Sequence, residues 1–120
     1  GRGKVRTVDF AARFADGFNM PYVDADTAAD RLQRLRMACD RHDRDYDAID
    51  TSVNLGFYMN SQRSPDINPA GSLTGGVQET VDVIGRLRDV GIKGVNIAFR
   101  PPVEWDNLEL YIEEVMPHFA

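Results

Sequence analysis

Apolar residues change their spacing several times along the chain, from helical period to period two and back. Phe10, Ala11, Phe14 and Ala15 recur at helical spacing and predict a helix from Val8 to Ala15, closed by Asp16-Gly17. The run Phe18-Asn19-Met20 predicts a short strand. Asp24 or Asp26 can cap a second helix, whose Ala28, Leu32, Leu35, Ala38 and Cys39 form one stripe ending near Arg44. From Thr51 to Asn60 the alternation is strict: Val53, Leu55, Phe57 and Met59 on one side, Asn54, Gly56, Tyr58 and Asn60 on the other. Val77, Val81, Ile84 and Leu87 align a third helix from Gly76 to Val90, with Gly91 as its stop signal. Gly94 to Arg100 predicts another strand, ended by Pro101-Pro102. Asp106 can cap a last helix, striped by Leu108, Tyr111, Ile112, Val115 and Phe119.

Strands alternating with helices of this length imply a parallel sheet with right-handed crossovers, so the fold class is α/β. The asparagines narrow the choice of architecture. Asn19, Asn54 and Asn96 each stand between large apolar neighbours, so each strand has one apolar side and one small, polar side. Strands of a doubly wound sheet, covered on both faces, tend to read as continuous apolar runs. One-sided strands suit part of a β/α barrel with a ligand at its mouth. Between strand and helix, Ser61 to Thr74 is rich in Pro, Gly, Ser and Asn, which predicts a lid-like loop.

Composition sets outer limits. With 120 residues and 42% hydrophobic content, one domain with a core is expected. Net charge of -5 argues against nucleic acid or an anionic membrane surface as the partner. The lone Cys39 excludes a disulfide framework or a cysteine metal cluster and suits a cytoplasmic protein. No metal site is expected. His42, in the charged run Arg41 to Arg44, and His118, near the C-terminus, are expected at the surface, and Cys39 in the core.

Gly1-Arg2-Gly3-Lys4-Val5-Arg6-Thr7 leads straight into the first helix. A glycine-flanked turn at a helix N-terminus offers backbone N–H groups and the positive end of the helix dipole, to which Lys4 and Arg6 add full charges, as a phosphate requires. Such a turn normally follows a strand, which predicts a fold that begins earlier than Gly1.

The segment Ala11-Ala12-Arg13-Phe14-Ala15-Asp16-Gly17-Phe18-Asn19 resembles the "AARYADGWN" segment of the luciferase-like monooxygenase superfamily. Gly1 to Thr7 is similar to the second half of that family's "GGGGxRT" turn, and Gly75 to Ile97 and Glu113 to Pro117 are similar to its later motifs. Two departures stand out: Gly76-Val77 where the family has Thr-Pro, and Arg2 and Lys4 where it has glycine and a variable residue.

The resemblance implies the C-terminal part of a TIM (β/α)8 barrel, with about three parallel strands and flanking helices, forming a partial domain over residues 1–120. It implies an oxidoreductase or monooxygenase that uses FMN or coenzyme F420 on a small-molecule substrate, inactive as this portion alone. Gly1, Gly3, Lys4 and Thr7 fall on the positions of the phosphate turn and, with Arg2, are the cofactor-binding candidates. Asn19, Tyr22, Tyr58, Asn60 and Arg100, at or near C-terminal strand ends, would face the substrate, while the catalytic residues stay unassigned. Partial barrels leave strand edges open, so a homo-oligomer or association with a missing N-terminal half is expected. The alternative class is a non-catalytic α/β module that binds an anion or a partner.

Overall fold

The structure, a computed structural model, describes residues 5–62 and 68–120. Helix α1 spans Val5–Phe14, strand β1 Gly17–Pro21, α2 Ala25–Arg41 and β2 Asp50–Phe57. Then follow the two-residue strand β3, Ser72–Leu73, helix α3, Val77–Asp89, β4, Gly94–Ala98, and α4, Trp105–Leu110. All four strands among the described residues are parallel. Strand β2 is central: Gly17–Pro21 pair with Asp50–Asn54 on one edge, and Gly94–Ala98 pair with Ser52–Gly56 on the other. Strand β3 extends the β1 edge by pairing Ser72 with Gly56 and Leu73 with Phe57.

The predicted period-two faces are real. Phe18, Met20, Val53, Leu55 and Phe57 are buried with the α2 stripe of Ala28, Leu32, Leu35, Ala38 and Cys39. Each large aliphatic side chain buried this way is worth roughly 1.5 to 3 kcal/mol. Burial also pushes the Cys39 thiol above its usual range, so it stays protonated in the core. Thr51 is the buried polar residue of this layer, and its hydroxyl donates to the carbonyl of Gly91, at 2.8 Å. Gly91 adopts φ +110 where the chain leaves α3, a conformation that favours glycine.

The opposite face is polar. Asn19 and Asn96 lie on it with Ser52 and Asn54, half-buried or exposed rather than under a helix. An open parallel sheet covered on one side is what part of a barrel presents.

Several details differ from the sequence reading. Val8, Ala11 and Ala12 form the buried side of α1, while Phe10 and Phe14 are 64% and 61% exposed, their rings 5.2 Å apart. The loop expected over Ser61 to Thr74 contains buried structure at its C-terminal end, because Gly71, Ser72 and Leu73 dock on the sheet. Residues 63–67 of that loop lie outside the described residues. The last helix is not continuous: α4 gives way to a π turn over Tyr111–Val115 and a tighter turn over Met116–Phe119, where Pro117 supplies no N–H. Tyr111 and Val115 are buried as expected, but Ile112 is 52% exposed, and Glu104 rather than Asp106 stands at the N-cap.

Asp24 caps α2 by accepting the Thr27 N–H at 2.8 Å, and that bond holds its carboxyl below the usual range. Asp24→Ala should cost about 1 kcal/mol in urea unfolding at neutral pH. Because the folded carboxyl is the stronger acid, its contribution is present above the unfolded pKa and is lost as pH falls through the folded one. The gap between wild type and variant should therefore shrink on acidification.

Candidate functional site

In a parallel sheet every strand ends on the same side, so Tyr22, Tyr58, Asn60 and Arg100 stand at one rim. The βα alternation brings the first turns of α1 and α3 to that rim as well. Tyr22 directly follows β1. Its N–H donates to the Asn54 carbonyl at 2.8 Å, and it adopts φ 55, a left-handed conformation that is uncommon for a bulky residue. The tight turn Pro69–Gly71 presses against it, and a Cβ on Gly71 would lie 2.8 Å from the Tyr22 carbonyl oxygen. The buried end of the long loop thus fixes the turn that presents Tyr22, whose side chain is 53% exposed.

Tyr58 follows Asn54 and Gly56 along the polar side of β2. Its ring lies over Gly56, where a Cβ would meet the Tyr58 Cε2 atom and the Ser72 hydroxyl oxygen, each at 2.8 Å. Glycine at this position leaves room for the ring. Asn60 has φ 52, donates its N–H to the Gly75 carbonyl at 2.7 Å and accepts from the Asn107 amide at 3.3 Å. Arg100 is exposed beyond β4.

Beneath the rim, the three long strands are joined by side-chain amides. The Asn19 Nδ2 group donates to the Ser52 hydroxyl at 2.9 Å and to Asn54 Oδ1 at 3.2 Å, and Asn96 Nδ2 donates to the same Asn54 oxygen at 3.2 Å. Asn54 is the hub of this row.

The predicted substrate-facing residues therefore gather at or below one rim, with Asn19 in the amide row. Of the predicted phosphate turn, Thr7 is half-buried in the first turn of α1, and Gly1, Arg2, Gly3 and Lys4 lie outside the described residues. Sequence reasoning missed Glu104, whose carboxylate accepts the Ser61 hydroxyl at 2.6 Å and the Gln62 N–H at 3.3 Å, tying the loops after β2 and β4 together. No periodicity or motif marks that contact. It also noted the asparagine alternation without foreseeing that Asn54 would join both neighbours.

His42 caps the end of α2, with its Nε2 3.4 Å from Asp9, and has no part in the rim. The Arg41 guanidinium on Asp9, at 2.6 Å, holds that carboxyl below its usual range and pins α1 to α2. Among the described residues no group of three or more His, Cys, Asp or Glu could hold a metal, and no helix is long and apolar enough to cross a membrane. An apolar groove of about 870 Å³ lies away from the rim, near the start of β4, lined by Ile84, Val95, Tyr111, Met116 and Phe119 among others.

Gly71→Ala should push its new methyl into the Tyr22 backbone and cost about 1 to 3 kcal/mol. Gly85→Ala, in α3 with nothing within 4 Å of the added carbon, should be neutral or stabilise by up to about 1 kcal/mol. Paired urea titrations check the contrast, and equal effects would remove the Gly71 contact from the account.

No family model and no curated protein matches the sequence. Solved structures do. The coenzyme F420 dependent tetrahydromethanopterin reductase from Methanopyrus kandleri superposes with TM-score 0.77 at 17% identity, over 98% of this chain and 49% of its own. An F420-dependent secondary alcohol dehydrogenase, solved with an F420-acetone adduct, gives 0.76 at 9% identity, over 97% and 46%. The long-chain alkane monooxygenase LadA gives 0.68 at 15%, over 94% and 38%. The chain spans about half the length of the first two and less of the third. The one-sided parallel sheet, its flanking helices and these superpositions together show that the chain has the fold of part of a β/α barrel.

Proposed function

We propose that this chain is the C-terminal portion of a luciferase-like oxidoreductase that moves a hydride between FMN or coenzyme F420 and a small organic substrate. The observation that carries the reading is the polar, uncovered side of the sheet, which rises through the amide row to a rim bearing Tyr22, Tyr58, Asn60 and Arg100. Two solved neighbours of the same fold are named as F420-dependent enzymes, which supports the class of chemistry.

The residues present fit a planar heterocyclic cofactor. Inward positions of the three long strands carry nothing larger than asparagine or aspartate, leaving room for a flat ring, and the amides supply partners for ring oxygens and nitrogens. When bound, such a cofactor supplies the hydride chemistry, and the protein supplies placement and electrostatics. Gly1, Arg2, Gly3, Lys4 and Thr7 would hold its phosphate, Lys4 by charge and Thr7 by its hydroxyl. Tyr58, its ring against Gly56, and Tyr22 would stand at the mouth, and Asn60 and Arg100 would offer polar contacts to the substrate. Further β/α units, from the same polypeptide or from another copy, would pair with the β1 and β4 edges and close the interior against water.

Fluorescence titration of the full-length protein with FMN and with F420 tests this reading. One of the two should bind, and Lys4→Ala should weaken that binding by about 1 to 3 kcal/mol, the range for losing a charge-assisted contact. A full-length protein that binds neither would contradict the reading. Unchanged affinity in the variant would remove Lys4 from the site.

A further inference from the structure

The amide row has a direction. Asn54 Oδ1 receives two donors, Asn19 Nδ2 and Asn96 Nδ2, each at 3.2 Å, which fills both lone pairs of that oxygen. The Asn54 side chain is thereby oriented, and its own Nδ2 group, with two N–H donors, finds no acceptor among the described residues. Asn19 spends both of its amide hydrogens, on Ser52 and Asn54, so its carbonyl oxygen is left as an acceptor. Above Asn54 the inward positions are small, Gly56 on β2 and Ala98 opposite it on β4. Closed barrels normally fill this volume with bulky branched side chains. Here the strands supply only Gly56 and Ala98, and the Tyr58 ring reaches back over Gly56.

An oriented donor pair on Asn54, with a free acceptor on Asn19 of the paired strand, complements an edge that carries a carbonyl next to an N–H. Leaving such donors unpaired once the interior closes would leave their desolvation uncompensated, so an acceptor is required there. On the basis of the cofactor reading above, we infer that Asn54 is a ligand-binding residue: its Nδ2 group donates to a ring carbonyl on the imide edge shared by FMN and F420, with Asn19 and Asn96 holding it in orientation. The ring N–H beside that carbonyl meets the Asn19 oxygen. Asn19 and Asn96 are in this sense positioning residues, and Asn54 is the contact.

Asn54→Asp separates ligand contact from strand stapling. An aspartate keeps an oxygen to accept from Asn19 and Asn96, so the row survives, but it turns the ligand-facing donors into a repelling carboxylate. In the full-length protein, Asn54→Asp should melt within a few degrees of wild type and bind FMN or F420 about tenfold more weakly or worse. In the wild type, the Asn54 side-chain amide should shift downfield in nitrogen-resolved NMR on titration with whichever cofactor binds, while the Asn96 amide moves less. This readout holds even if the aspartate variant does not fold. Unchanged affinity in a folded variant, or an Asn54 amide resonance that stays put at saturation, overturns the inference and leaves the cofactor reading standing. A wild type that binds neither cofactor overturns both.

Discussion

Strict alternation in β2 is the constraint on which the rest of the molecule depends. This strand alone has paired neighbours on both edges among the described residues, and each residue along it faces either the helices or the amide row. A slip of one position would send Val53 and Leu55 to the polar side and bring Asn54 under α2. The burial of Val53, Leu55 and Phe57 therefore fixes the orientation of Asn54, Gly56 and Tyr58, and fold and candidate site share one set of packing contacts. Interactions at the foot of the sheet reinforce the same register: Lys93 donates its N–H to the Thr51 carbonyl at 2.9 Å and its ammonium to the carbonyls of Asp47 and Ile49, at 2.7 and 2.9 Å.

Much of this was legible in the sequence because it is repetitive. The five apolar residues of α2 and the cap at Asp24 obey local rules, and β2 carries enough alternating positions for its faces to be unambiguous. What was not legible lacks a period or depends on partners distant in the chain. Strand β3 is two residues long, and Ser72-Leu73 becomes a strand only because Gly56 and Phe57 of β2 extend past β1 and offer a free edge. Phe10 and Phe14 share the helical spacing of a core stripe, yet Val8, Ala11 and Ala12 form the buried side of α1; spacing indicates that two residues share a face, not what covers it. The break after Leu110 is a matter of backbone geometry that the stripe of the last helix does not encode.

The site follows the same division. Alternation placed the asparagines on one side, and the α/β order placed Tyr22, Tyr58, Asn60 and Arg100 at strand ends. Sequence could not show that Asn54 accepts from both neighbours, that Gly71 approaches the Tyr22 backbone, or that Glu104 grips Ser61 across 43 residues. Each contact joins elements distant along the chain. The chemistry of the rim thus rests on tertiary contacts around a scaffold that local rules predict well. Exposed apolar side chains point the same way: Trp105 is 69% exposed and Met116 50%, and β1 and β4 each have one edge with no paired strand among the described residues.

Sedimentation velocity of the isolated 120-residue chain at micromolar concentration tests the central claim, that this is one part of a barrel whose polar side and outer strand edges are built to be covered. The account predicts a dimer or larger species whose share grows with concentration. A monodisperse monomer that unfolds in one cooperative transition would show that the chain closes its own core, and would contradict the partial-barrel account.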